Sequence, residues 1–263
     1  MKKIVLLFIV ALLPAFILRA QDMGLFEKKQ FVSSKGDTLR YRILLPKQYD
    51  PSRKYPLVVF LHGAGERGSD NEKQLTHGAK LFLDEKNREQ FPCIVVFPQC
   101  PANDYWASVS IDRSKQPLLM DFNYTRPMRA PLVSVIELTN SLLNEKLVDK
   151  KHVYITGLSM GGMGTFEAVY HNPRLFAAAL PICGGGDANS YNKNTARIPF
   201  WIFHGDADPV VGVAESRKMV DRLKSLKASP RYSEYPGVGH NSWDNAFAEP
   251  DYLGWMFSKK RRK

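Results

Sequence analysis

Cysteine is scarce and odd in number: Cys93, Cys100 and Cys183 are the three in 263 residues. At least one stays unpaired, so the chain is not a disulfide-stapled module. Cys93 and Cys100 bracket Ile94-Val95-Val96-Phe97, which reads as a buried strand and would hold their Cα atoms beyond the ~7 Å a disulfide spans. Free, buried thiols are expected. No apolar run reaches the ~20 residues needed to cross a bilayer. No segment repeats at a fixed period, and the glycines and prolines fall singly, which excludes solenoid, collagen-like and low-complexity architectures. A His-Glu-x-x-His helix is also missing. His204, Asp206 and Asp208 have no second histidine at ligand spacing, so no metal is expected there.

What is present suffices for one large globular unit, with 44% hydrophobic and 24% charged residues. The formal charge of +11 is placed unevenly. Lys2, Lys3 and Arg19 lie near the start, and Lys259, Lys260, Arg261, Arg262 and Lys263 close the chain. The excess therefore describes the termini, and no nucleic-acid partner is expected. The closing run either holds an anionic surface or is simply solvated.

Lys2-Lys3, a mostly apolar run from Ile4 to Leu18 and then Arg19-Ala20 have the layout of a secretory signal peptide, with cleavage expected before Gln21. The run is short for a membrane anchor and contains Pro14. The expected organisation is a signal peptide over 1–20, a catalytic domain over 21–258 and a basic tail over 259–263. Export to the periplasm or the medium follows, without a transmembrane anchor once the leader is removed.

Residues 27–34 and 38–46 alternate around Lys35-Gly36-Asp37 and predict a hairpin. Leu57 to Leu61, Ile94 to Phe97, Val153 to Thr156, Ala177 to Ile182 and Phe200 to Phe203 are short apolar runs suited to strands buried on both faces. Helical spacing occurs over 72–86, 131–147, 162–172 and 213–227. The alternation predicts an α/β fold, with a mostly parallel central sheet, helices on both faces and an N-terminal antiparallel hairpin.

Chemistry in such sheets collects beyond the carboxyl ends of the strands. After Val153 to Thr156, Gly157-Leu158-Ser159-Met160-Gly161 fits G-x-S-x-G and opens into a helical pattern, as a nucleophile elbow does. A serine hydroxyl needs a base, and the base needs a carboxylate to hold its tautomer. Downstream, His204-Gly205-Asp206-Ala207-Asp208-Pro209-Val210-Val211 follows one strand and Gly237-Val238-Gly239-His240 follows another. Ser159 is thus the candidate nucleophile and His240 the base. Asp208 is a better orienting acid than Asp206, which sits where aspartates make local turn bonds. An oxyanion would need two preorganised donors. The N–H of Met160 at the helix start supplies one, and that of Ala64 in His62-Gly63-Ala64-Gly65-Glu66-Arg67-Gly68 the second. Glu66 and Arg67 read as charges that brace this loop.

Leu61 to Gly68, Gly157 to Gly162, His204 to Val211 and Gly239-His240 together resemble the α/β-hydrolase superfamily, over about residues 27–257. Within it the chain is similar to exported bacterial carboxylesterases of the feruloyl esterase and dienelactone hydrolase-like kind. Dienelactone hydrolases in the narrow sense use cysteine where Ser159 stands. The resemblance implies an α/β-hydrolase fold, a Ser159, Asp208, His240 triad and an oxyanion hole from Ala64 and Met160. It implies no cofactor.

The long segment 99–130 is expected near the active site as an insertion. It carries Tyr105, Trp106, Met120, Phe122, Tyr124 and Met128, which either touch substrate or pack the insertion onto the body. Trp106 and Trp243 are the substrate-binding candidates. The function expected is a serine carboxylesterase acting on a small or polysaccharide-linked ester, such as a feruloyl or acetyl ester of plant polysaccharide. A prolyl-oligopeptidase-like exopeptidase or an acyltransferase would use the same triad. The sequence leaves the oligomeric state open.

Overall fold

The computed structural model describes residues 22–261. The expected leader and the last two residues of the basic tail lie outside them. One eight-stranded sheet organises the chain, in the order β1-β2-β4-β3-β7-β8-β9-β10. Its strands are β1 (Glu27–Val32), β2 (Thr38–Leu44), β3 (Tyr55–Leu61), β4 (Ile94–Gln99), β7 (Val148–Leu158), β8 (Ala178–Ile182), β9 (Trp201–Gly205) and β10 (Arg231–Tyr235). β1 and β2 form the antiparallel hairpin, and β2 also pairs antiparallel with β4. From β4 to β10 every pairing is parallel. The fold class read from the sequence therefore holds.

Period-two alternation sorts β3 between two cores. Leu57, Val59 and Leu61 face one side, with the helices α3 (Ala130–Asn144), α4 (Met160–His171) and α5 (Ala214–Ser225). Val58 and Phe60 face the other, with α1 (Ala79–Leu83), α6 (Trp243–Ala248) and α7 (Tyr252–Phe257). Both cores are closed, so each large apolar side chain on β3 contributes about 1.5–3 kcal/mol by leaving water. Among the described residues, no helix is long and apolar enough to cross a membrane.

One helix read from the sequence needs correction. Residues 72–86 do not make one helix: a 3-10 turn at Lys73–Leu75 is followed by α1 and then by α2 (Glu85–Gln90). Gly78 breaks the run with φ +80°, a conformation that is strained for any residue with a Cβ. Asp84 then starts α2 afresh, its carboxylate accepting the Asn87 N–H at 3.0 Å. Two short helices, α6 and α7, follow His240. Segment 99–130 contains its own antiparallel pair, β5 (Val109–Asp112) with β6 (Leu119–Phe122). Helical propensity over 72–86 lost to the glycine.

Gly78 also lies directly against the Phe60 ring, where an added Cβ would collide with it. Phe60 in turn stacks on Phe97 at 4.4 Å and meets the edge of Phe82 of α1 at 6.5 Å. Gly78→Ala combines backbone strain with overpacking, and is expected to lower unfolding stability by about 1–3 kcal/mol. A urea midpoint equal to that of the parent would contradict this account.

Candidate active site

β7 runs straight into α4, and Ser159 occupies the single residue between them at φ 53° and ψ −116°. That backbone is unfavourable for a side-chain-bearing residue. It persists because the flanking glycines allow close approach. A Cβ on Gly157 would lie 2.5 Å from the Gly161 carbonyl oxygen, and one on Gly161 would collide with the carbonyl of Leu61 at the end of β3. The Ser159 N–H donates to the Ile182 carbonyl at 2.9 Å, which fastens the turn to β8. Oγ is thereby presented above the strand ends.

His240 reaches it from the loop after β10. Its Nε2 accepts the Ser159 hydroxyl at 2.9 Å, and its Nδ1–H donates to Asp208 Oδ2 at 2.7 Å. The loops after β9 and β10 clasp each other: Ala207 N–H donates to the Val238 carbonyl at 3.1 Å, and Gly237 N–H to Asp206 Oδ1 at 2.7 Å. Asp206 thus holds the histidine loop, while Asp208 faces the imidazole. His204, Asp206 and Asp208 are not brought together as one group.

Asp208 is buried, and burial by itself would raise its pKa. Hydrogen bonds from His204 and His240 to the carboxylate outweigh that and hold the group well below the usual range. Oδ1 accepts the N–H groups of Val210 at 2.8 Å and Val211 at 3.0 Å. His204 Nε2 lies 3.2 Å from Oδ2. His204 was not singled out for this from the sequence, although its spacing four residues before Asp208 was visible. Cys183 adds a further neighbour, its Sγ lying within 4.8 Å of Asp208 and His240 ligand atoms. All three cysteines are free and buried.

Met160 opens α4 and Ala64 opens the 3-10 turn Ala64–Glu66. A first helical N–H has no acceptor inside its own helix, so both are available to a ligand in the cleft. The Gly63–Ala64 peptide is held by His62. His62 Nδ1–H donates to the Gly63 carbonyl at 2.6 Å, and Nε2 accepts the Cys100 N–H at 3.0 Å. These partners fix the neutral Nδ1–H tautomer, and burial lowers the His62 pKa to about 4. Arg67 braces the same loop, donating from Nε to the Ala64 carbonyl at 2.9 Å and from Nη1 to the Asp104 carbonyl at 3.2 Å.

Trp106 is not a substrate contact. It is fully buried, its Nε1–H donates to the His62 carbonyl at 3.1 Å, and its ring packs on His62 at 5.2 Å. Its role is to hold the Ala64 loop from behind. Trp243 does line the cleft with Ser159, His240 and Ala64, its ring 5.5 Å from that of His240 and edge-on. The cleft has a volume of about 190 Å³. A larger groove of about 660 Å³ lies at the opposite strand ends, beside Arg174 and Arg197, but it contains no pairing of a nucleophile with a base. Residues of the cleft that sequence reasoning missed include His77, Arg113, Leu118 and Met163; the last three arrive with the β5–β6 hairpin and α4, whose packing local sequence does not signal.

The profile of the Esterase family matches residues 33–197. The chain belongs to that family. The matched stretch holds Ser159 and the Ala64 loop, with Asp208 and His240 lying beyond it. The esterase is 24% identical over 223 residues to Acyl-protein thioesterase 1 of Neurospora crassa, covering 73% of this chain and 82% of that protein. A solved structure described as a thermostable esterase superposes with a TM-score of 0.81 at 39% identity, over 90% of this chain. The esterase spans 64% of that chain's length. The feruloyl esterase module of Clostridium thermocellum complexed with sinapinate shares the fold, with a TM-score of 0.64 at 19% identity over 90% of this chain and 89% of that one. These likenesses place the esterase among α/β-hydrolases acting on esters.

The lowered His62 pKa has a testable consequence. Between pH 6.5 and about 4 the unfolded chain binds a proton at His62 that the folded chain does not. The His62 contribution is therefore complete above pH 6.5 and is lost as pH falls towards 4, by at most about 3 kcal/mol. Urea titrations at pH 7 and pH 4.5 should show a smaller loss for His62→Gln than for the parent; equal losses would refute it.

Proposed function

We propose that the chain is an exported serine carboxylesterase. The observation that carries this is the continuous hydrogen-bonded line from Ser159 through His240 to Asp208, at 2.9 Å and 2.7 Å. Ser159 Oγ attacks the ester carbonyl carbon while His240 Nε2 takes its proton. Asp208 stabilises the imidazolium so formed. The carbonyl oxygen gains charge and receives the N–H groups of Ala64 and Met160, which need no reorganisation at that moment. His240 then returns its proton to the departing alkoxide, leaving an acyl-enzyme on Ser159. A water deprotonated by His240 attacks the acyl carbon, and collapse releases the acid and restores the serine. Each step uses protein groups and water.

For the substrate we favour feruloyl or acetyl esters linked to plant polysaccharide. Trp243 and Tyr105 supply aromatic faces, and Leu118, Met120, Met163, Val210 and Val211 supply apolar walls, a combination suited to a phenolic acyl group or a sugar ring. The C. thermocellum relative, complexed with sinapinate, supports that direction. The apolar run from Ile4 to Leu18 between basic flanks supports export.

The decisive experiment follows hydrolysis of p-nitrophenyl acetate and methyl ferulate. Ser159→Ala and Asp208→Asn are each expected to lower kcat about 10⁴-fold or more, with KM changed far less. Equal rates in parent and Ser159→Ala would remove the serine mechanism. A protein that cleaves aminoacyl amides and neither ester would belong with the exopeptidases instead.

A further inference from the structure

The loop joining β5 to β6 runs Arg113-Ser114-Lys115-Gln116-Pro117-Leu118, and it is held over the cleft rather than left free. Val109 and Met120 are buried against Ala107, Met163 of α4 and Val211 beside Asp208. Leu118 N–H donates to the Val210 carbonyl at 2.9 Å. Below the hairpin, Glu167 of α4 is wholly buried and accepts the Ser108 N–H at 2.6 Å and its hydroxyl at 2.8 Å. These contacts fix the position of the loop relative to Ser159.

The loop brings Arg113 into the lining of the cleft that contains Ser159 and His240. Arg113 faces the Tyr105 hydroxyl, and Arg67 lies over the Tyr105 ring at 5.5 Å. Arg67 is engaged by two carbonyls. Arg113 has no carboxylate partner among the described residues. Glu66 is the one acidic residue in the described lining, and it lies 3.8 Å from His77. The cleft therefore carries, on the hairpin, a guanidinium that bonds the Tyr105 hydroxyl and no carboxylate. The same lining carries the apolar side chains Leu118, Met120 and Met163.

We propose that Arg113 recognises a carboxylate on the substrate, so that this site takes esters in which an apolar spacer separates the scissile carbonyl from an anionic end. The proposal rests on Ser159 being the nucleophile and concerns the substrate class of that same site. The planar fork of arginine matches a carboxylate in two parallel hydrogen bonds, which lysine does not reproduce. The apolar walls accept the spacer, and the mouth of the cleft leaves the charged pair in contact with water, where neither ion bears a large desolvation cost.

The carboxylate could reside on the acyl chain or on the alcohol, and paired substrates separate the two. p-Nitrophenyl hemiglutarate against its methyl ester tests the acyl side; 4-acetoxybenzoate against its methyl ester tests the alcohol side. The quantity read is the ratio of kcat/KM for the anionic ester to that for its neutral partner. Arg113→Gln is expected to lower this ratio about five- to tenfold in one of the two pairs, through KM, and Arg113→Glu to lower it further. Raising the salt concentration should lower the parent's ratio and leave that of Arg113→Gln nearly flat. Unchanged ratios in both pairs, with the parent hydrolysing the neutral esters, overturn the carboxylate proposal alone. A parent that hydrolyses none of the four overturns the esterase reading beneath it.

Discussion

The contact on which the site depends is between backbones: the start of α4 rests against the last carbonyl of β3. Gly161 makes that approach possible, because any Cβ there would occupy the position of the Leu61 oxygen. Two consequences follow from one contact. The chain at Ser159 is forced through a left-handed turn that lifts Oγ clear of the sheet. The segment after Leu61, which carries His62, Gly63 and Ala64, is brought beside the first turn of α4. The strain at a single residue is stabilised by the β3–β7–β8 pairing around it.

Around this contact, the polar atoms of two buried side chains, Asp208 and His62, are all paired. Asp208 receives two backbone N–H groups on one oxygen and two imidazoles near the other. A carboxylate so supplied stays ionised and fixed in direction, which is what a neighbouring histidine needs to keep its proton on Nδ1. His62 performs a parallel task for the donors. Its ring is clamped between the Cys100 N–H and the Gly63 carbonyl, so the Gly63–Ala64 peptide cannot rotate its N–H away from the cleft. Such rigidity costs little during turnover because the groups are already oriented before a substrate arrives.

Much of this was legible in the sequence because it depends on backbone rules that residue type reports directly. Short β-branched runs announced the strands, and glycines two before and two after Ser159 announced the tight turn. Asp206 and Asp208 were distinguished by position in their loop, and the hydrogen bonds agree: one holds Gly237, the other His240. What failed was whatever depends on contacts distant in sequence. Trp106 looked like a substrate aromatic because it sits in a long segment near a strand end, yet its ring is turned inward onto His62. The break at Gly78 follows from the Phe60 ring beside it, and nothing within 72–86 indicates where that ring lies. His204 and Met163 reach the site through packing of β9 and α4, for which periodicity has no code.

Glu167 anchors the base of the β5–β6 hairpin to the same helix that begins at the nucleophile. The base and the tip of the hairpin are consequently held to different degrees. Changes at Ser108 or Glu167 propagate to α4 and are constrained with it. The exposed tip, residues 113–117, carries few obligations to the core and can be exchanged in composition without displacing the serine. The hairpin is thus the place at which to graft a new selectivity onto this scaffold.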